Sequence, residues 1–230
     1  MKIVPIIPAL NPDNKLIKLV NDLKEDFKEI IIVNDGSESD EIFNKIKDIK
    51  GCIILTHEVN KGKGEALKTA FNYYIDNLST KYLGVVTLDA DGQHLVSDVI
   101  KMSELLEESD NFILGTRLFN TKSTPLRNKL GNRITSRVFK WIYKVYIKDT
   151  QTGLRGIPNR LIKKLSKVTG SRFEYELNVL IKLVKMHEEI IELDIKTVYL
   201  KNSNKKSHFK VLRDSYQIYK IMFHGKKKDL

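Results

Sequence analysis

The stretch VVTLDADGQHL, residues 85–95, passes from a short apolar segment straight into Asp89 and Asp91. Val85, Val86 and Leu88 predict a strand buried on both faces, because such strands read as continuous apolar runs rather than alternating ones. Gly92 then supplies a turn, since glycine enters backbone conformations that side chains disfavour. Two neighbouring, partly buried carboxylates repel one another unless a cation neutralises them. Hard divalent ions such as Mg²⁺ are held by one or two carboxylates together with substrate phosphates. The stretch therefore predicts a buried strand ending in a cation site.

The same rhythm extends in both directions. β-Rich runs stand at residues 2–9, 29–35, 52–58, 82–88 and 111–117. Between them, residues 13–26, 40–49, 64–77 and 97–108 carry apolar side chains at helical spacing, as Leu16, Leu19, Val20 and Leu23 do in the first; Ser97 or its neighbours are placed to cap the last. Such alternation predicts βαβ units, hence an α/β fold with a mainly parallel central sheet flanked by helices. After Arg117 the rhythm changes. A basic segment at 121–149 predicts a long helix with Leu130, Ile134, Val138, Trp141, Ile142 and Val145 as its apolar stripe. A Gly-containing turn (DTQTGLRG, 149–156), helices near 158–168 and 173–186, and a strand within 189–200 follow.

Ligands of open α/β sheets bind beyond the carboxyl ends of the strands. Four predicted strands end there in polar loops: PALNP with Asn11, NDGS with Asn34 and Asp35, NKGKGEA with Lys61 and Lys63, and DADGQH. A small charged ligand on that rim is the economical reading. Gly62 and Gly64 ahead of a helix predict backbone N–H groups suited to an anion. The spacing of a phosphate-binding P-loop is absent, and Leu67 stands where a dinucleotide fingerprint needs its third glycine.

Composition bounds the rest. The 230 residues are 41% hydrophobic and 30% charged, which suits a globular domain rather than a disordered chain. Cys52 is the single cysteine, so an intrachain disulfide is excluded and a cytoplasmic setting is expected. No run approaches the roughly 18 apolar residues of a membrane-spanning helix. The net charge of +11 is uneven: residues 1–110 hold 13 Lys, no Arg and 20 acids, whereas residues 111–230 hold 27 Lys plus Arg and 9 acids. A basic half attracts nucleic acid, anionic lipid or phosphorylated substrates. Its aromatics follow helix stripes rather than a stacking platform, which speaks against nucleic acid.

Taken in order, IIPALNP, IIIVNDGS, NKGKGEALKTAF, VVTLDADGQH, LGTR, DTQTGLRG and FEYEL make the chain resemble family 2 glycosyltransferases of the GT-A fold, specifically the polyprenyl-phosphate, dolichol-phosphate mannose synthase-like group. The resemblance implies a GT-A domain over residues 1–207. It places Pro8, Ala9, Asn11 and Asp35 at the nucleotide, with Asp35 contacting base or ribose, and adds Lys63, Ala90 and Gln93 to the donor site. Asp89 and Asp91 match the DxD motif that holds a divalent metal, Mg²⁺ or Mn²⁺, against the diphosphate of a nucleotide sugar. Arg117 matches an arginine near the donor or acceptor phosphates. Asn11 and Asn34 depart from the family, which commonly has Glu and Asp there.

The implied reaction is inverting transfer of a hexose from a UDP- or GDP-sugar to a lipid phosphate such as undecaprenyl or dolichyl phosphate. Asp91 with its metal, and Arg117, Arg127 and Arg133 on the phosphates, are the expected catalytic residues, since guanidinium forks match phosphate oxygens. Lys201, Lys205 and Lys206 are placed to close over the diphosphate. The alternative acceptor, a saccharide hydroxyl in cell-surface polysaccharide synthesis, requires a carboxylate base, for which Asp149, Glu174 and Glu176 are available. Residues 208–230 interleave Phe209, Leu212, Tyr216, Tyr219, Met222 and Phe223 with basic residues, predicting an amphipathic helix that either lies at an anionic membrane surface or packs on the domain. The expected location is thus peripheral, at the cytoplasmic face of the cell membrane.

Overall fold

The computed structural model describes residues 1–117 and 126–196, with the side chains of 126–130 left out. The elements are β1 (Ile3–Ala9), α1 (Asn14–Lys24), β2 (Ile30–Asn34), α2 (Glu41–Lys47), β3 (Cys52–Thr56), α3 (Lys63–Asn77), β4 (Gly84–Thr87), α4 (Val96–Ser109), β5 (Phe112–Arg117), α5 (Leu126–Tyr143), β6 (Arg155–Pro158), α6 (Asn159–Leu165), α7 (Glu174–Lys185) and β7 (Ile190–Ile195). The strands form one sheet in the order β3-β2-β1-β4-β6-β5-β7. Neighbours pair in parallel except at β6, which runs antiparallel to both β4 and β5.

Alternation along the strands divides the core between the two faces of the sheet. In β1, Val4 and Ile6 join one apolar cluster while Ile3 and Ile7 join the other; in β2, Ile31 and Val33 oppose Ile30 and Ile32. A strand has a side-chain period of two, so a strand covered on both sides carries apolar residues on both. α1, α2 and α4 cover one face; α3, α6 and α7 cover the other. In α1 the predicted Leu16, Leu19, Val20 and Leu23 are its buried residues, and Asp13 caps its N-terminus by accepting from the Lys15 N–H. Each fully buried aliphatic side chain stabilises the fold by roughly 1.5–3 kcal/mol.

Three local expectations are corrected. β6 was predicted as the end of a turn and the start of a helix, because RGIP contains Gly and Pro and is four residues long. It survives as a strand because β4 and β5 pair with its two edges. Ser97 lies inside α4, whose N-cap is Leu95. The predicted apolar stripe of α5 is mostly not the buried face: Ile134, Trp141 and Val145 are exposed, while Asn132, Thr135, Ser136, Phe139 and Ile142 are buried. That polar side is fixed by hydrogen bonds, from Asn132 Nδ2 (2.7 Å) and Ser136 Oγ (3.1 Å) to the Lys148 carbonyl. The predicted C-terminal helix, Lys201, Lys205, Lys206 and the side chains of Arg127 and Leu130 lie outside the described residues.

Candidate active site

The carboxyl ends of β1, β2 and β4 share one rim with the start of β6, because antiparallel pairing sets Thr87 opposite Arg155. The segment before β6 is thereby brought to the DADGQH loop. The buried Thr87 hydroxyl donates to the Gly153 carbonyl at 2.9 Å and fixes that approach. A Cβ added to Gly153 would lie 2.5 Å from Asp89 Oδ2, so only glycine leaves the carboxylate its place.

Asp89 stands between two partners. Lys63 Nζ donates to its Oδ1 at 2.7 Å, and His94 Nε2 lies 3.3 Å from its Oδ2. The same ammonium is 3.0 Å from Glu176 Oε1, tying the N-terminus of α3 to β4 and α7. Burial works to raise the Asp89 carboxyl, but the Lys63 charge and the His94 hydrogen bond overcome it and hold the group far below the usual carboxylate range. Burial likewise opposes the charge on Lys63, and Asp89 and Glu176 more than restore it. Arg155 extends this cluster: its Nη1 donates to the Glu176 carbonyl at 2.6 Å and its Nε to the Thr152 carbonyl at 3.0 Å. Burial pulls the Arg155 guanidinium below its ordinary value.

Asp91 is different. It stands exposed at the rim, and its Oδ1 accepts from the Gln93 backbone N–H at 3.0 Å. Loss of water, and then the adjacent Asp89 charge, push its carboxyl up. A carboxylate raised by loss of water and by a neighbouring charge is an environment that a hard divalent cation would relieve. Among the described residues no three His, Cys, Asp or Glu side chains cluster to hold a metal. A cation at Asp89 and Asp91 would have to draw further ligands from beyond these two carboxylates, as a substrate diphosphate or water can supply to Mg²⁺ or Mn²⁺.

The two N-terminal loops form a second unit. Asn11, in the left-handed region at φ 48°, donates its N–H to Ser37 Oγ at 2.8 Å, and its Oδ1 accepts from the Glu38 N–H at 2.8 Å. Asn34 Oδ1 accepts from the Ser37 N–H, and Asn34 Nδ2 donates to Asp40. Pro8 and Ala9 close β1 beside these loops. Asp35 is buried, with Oδ1 accepting from the Lys61 N–H (3.0 Å) and Oδ2 from the Gly62 N–H (2.9 Å). His57 Nδ1 lies 2.7 Å from Asp35 Oδ1, and its Nε2 is 2.9 Å from Thr69 Oγ1. The anion taken by the glycine loop is thus the chain's own Asp35. Gly62, at φ 100°, adopts a conformation that also packs it against the Ser171 carbonyl.

The two predicted arginines whose side chains are described differ in setting. Arg117 sets its Nε 2.6 Å and its Nη2 2.9 Å from the two oxygens of the fully buried Asp149, a forked pair at the end of β5. Arg133 is exposed on α5. Ala90 and Gln93 flank Asp91 in the loop, both half-buried. Reading the sequence did not single out His57, His94, Gly153 or Arg155. His94 stood within the quoted DADGQH, and Gly153 and Arg155 within DTQTGLRG, so the motifs held the signal although their partners were not deducible.

The chain matches the family described as glycosyl transferase family 2 over residues 6–164. It is 32% identical over 224 residues, 86% of each chain, to the UDP-N-acetylglucosamine–dolichyl-phosphate N-acetylglucosaminyltransferase of Methanococcus voltae. It is 23% identical over 182 residues to the glycosyltransferase AglJ of Haloferax volcanii, covering 78% of this chain and 57% of that one. Among solved structures, glucosyl-3-phosphoglycerate synthase of Mycobacterium tuberculosis, in complex with Mn²⁺, UDP and glucosyl-3-phosphoglycerate, superposes with a TM-score of 0.71 at 15% identity, covering 99% of this chain and 81% of that one. That likeness gives the fold, GT-A. The family match over most of the described domain, the archaeal relative and the shared fold agree: the chain is a member of glycosyltransferase family 2.

Proposed function

We propose that this glycosyltransferase moves a sugar from a UDP-sugar to a polyprenyl phosphate, with inversion at the anomeric carbon and with Mg²⁺ or Mn²⁺ at Asp89 and Asp91. The observation that carries the reading is the state of the carboxylates available as bases. Asp149 is fully buried on Arg117, Glu176 sits beside Lys63 and Arg155, and Glu174 Oε1 accepts from the Ser171 and Arg172 N–H groups. A saccharide hydroxyl needs a base to take its proton; a phosphate is already anionic near neutral pH and needs none. The relative that acts on dolichyl phosphate supports the same acceptor class and favours UDP over GDP as the carrier.

In this reading an acceptor phosphate oxygen bonds to the anomeric carbon as the bond from that carbon to the UDP oxygen breaks, and UDP leaves with the electron pair. The metal, when bound, supplies Lewis-acid stabilisation of the diphosphate. Lys63 keeps Asp89 ionised and in place, so the carboxylate meets a cation without reorganisation. The Asn11–Ser37–Glu38 bonds hold together the β1 and β2 loops assigned to the nucleotide, and Asp35 fixes the Lys61–Gly62 loop through their N–H groups. Arg133 and Arg127 are the arginines proposed for the acceptor phosphate. Association with an anionic membrane surface follows from a lipid acceptor, and no helix among the described residues is long and apolar enough to cross a bilayer.

The test is incubation with labelled UDP-N-acetylglucosamine and other UDP- and GDP-sugars against polyprenyl phosphate and oligosaccharide acceptors. Label is expected in the organic phase as a lipid carrying one sugar. Label transferred only to oligosaccharide would replace the lipid phosphate with a hydroxyl acceptor.

A further inference from the structure

We propose that the outward face of α5 docks on an anionic lipid bilayer and so sets the rim of the site against the membrane. The inference rests on the lipid-acceptor reading for its purpose, but not for its evidence. At about 100° per residue, Ile134 and Trp141 line up along one side of the helix with Val138, which is half-buried against the core. Val145 and Tyr146 follow just past its end, where Lys144 turns through φ 63°. Ile134 is 41% exposed, Trp141 66% and Tyr146 53%. Arg133, Arg137 and Lys140 occupy the adjoining flank, all exposed. An exposed apolar line with a cationic border is the composition of an interfacial helix, and Trp and Tyr favour the headgroup level.

Charge selects the occupant. Residues 126–148 contain seven Lys or Arg and no acid. A second copy placed face to face would oppose those cations with themselves. Residues 197–230 are an equally poor match, with nine Lys or Arg against two acids. An anionic leaflet is complementary, each basic residue near it raising partition about fivefold. The surface has an acidic limit: Glu188 and Glu192 line a cleft of about 270 Å³ beyond Tyr146. The face is also rigidly joined to the rim. The buried side of α5 holds the 148–150 segment through Asn132 and Ser136, and Asp149 of that segment grips Arg117 at the end of β5.

Trp141 is the sole tryptophan, so its emission reports on this face alone. The full chain is titrated with vesicles of phosphatidylcholine, with or without phosphatidylglycerol, and with no acceptor lipid present. Emission is expected to shift to the blue with the anionic vesicles only, to return on adding salt, and to be quenched by brominated acyl chains. Arg137→Glu with Lys140→Glu is expected to lower partition at least about tenfold, and Ile134→Ser to lower it as well. Circular dichroism and stabilisation by UDP with Mn²⁺ should be unchanged in both variants. Vesicle binding that leaves Trp141 emission unmoved overturns the assignment, as does a dimer that Ile134→Ser dissociates in the absence of any vesicle binding. Transfer to detergent-dispersed polyprenyl phosphate separates the two readings. Transfer without a Trp141 response refutes the docking face and keeps the acceptor; a Trp141 response without transfer refutes the acceptor and keeps the face.

Discussion

The loop rim at the ends of β1, β2 and β4 and the outer face of α5 use charge in opposite ways. On the rim nearly every charged or polar group has an internal partner: Asp35 holds two backbone N–H groups and His57, and Lys63 joins Asp89 to Glu176. On α5 the cations border exposed apolar side chains with no acid in the segment. A closed network costs little reorganisation when charge develops, which suits chemistry. An open cationic face keeps its charge for a partner, which suits docking. Substitutions in the ion-paired network of the rim should therefore damage both fold and turnover, whereas those on the outward face of α5, away from Arg127 and Arg133, should damage localisation alone.

The largest effect is expected at Asp91. Asp91→Asn should lower turnover by about 10³-fold or more, the scale of losing a metal's charge stabilisation of several kcal/mol. The same change should slightly stabilise the free protein, by under about 1 kcal/mol, because it removes a carboxylate that desolvation and Asp89 push up. Steady-state kinetics and thermal unfolding measure the two effects; turnover near wild type would remove Asp91 from the mechanism.

Lys63→Met comes next. It leaves Asp89 and Glu176 facing each other without the ammonium, at a cost of about 2–4 kcal/mol given the partial exposure of Asp89. The pH dependence has a definite sign. Asp89 is held below its ordinary value, so its contribution is complete above about pH 4 and is lost as pH falls through the lower native value. Lys63 is held above its ordinary value, so its contribution is complete below about pH 10 and is lost as pH rises through the higher native value. Denaturant melts at pH 3, 7 and 11 should show the variant closest to wild type at the two extremes. A constant gap across pH would mean that the pair is not ionic.

Gly153→Ala should cost about 1–3 kcal/mol through overpacking against Asp89, and should weaken metal-dependent donor binding in parallel. A variant of wild-type stability and donor affinity would show that the β6 approach yields freely. The smallest stability effect belongs to α5: Trp141→Ser should change unfolding by under about 1 kcal/mol. A large loss of stability there would place Trp141 in the fold rather than on a docking face.

The parallel part of the fold was legible because its strands are covered on both faces, so Ile30 to Val33 is apolar without interruption and Val85, Val86 and Leu88 are broken only by Thr87. β6 was not, because Arg155–Pro158 owes its conformation to the partners on either side, and nothing local to RGIP marks it. The α5 stripe was read on the wrong side for a related reason: Asn132 and Ser136 are buried by hydrogen bonds to the Lys148 carbonyl, and apolar spacing is blind to that. At the site, Asp89, Asp91 and Lys63 were visible as motif residues. That Lys63 serves both Asp89 and Glu176, and that His57 closes on Asp35, depends on contacts between residues far apart in the chain.

The measurement that bears most directly on the DADGQH site is thermal stabilisation by UDP and Mn²⁺, separately and together. Two carboxylates with no third side-chain ligand among the described residues should hold the ion best with a diphosphate, so the pair should stabilise the protein well beyond the sum of each alone, and Asp91→Asn should erase the excess. Equal stabilisation by UDP in excess chelator, or an undiminished excess in the variant, would contradict a cation bridging these aspartates to the donor.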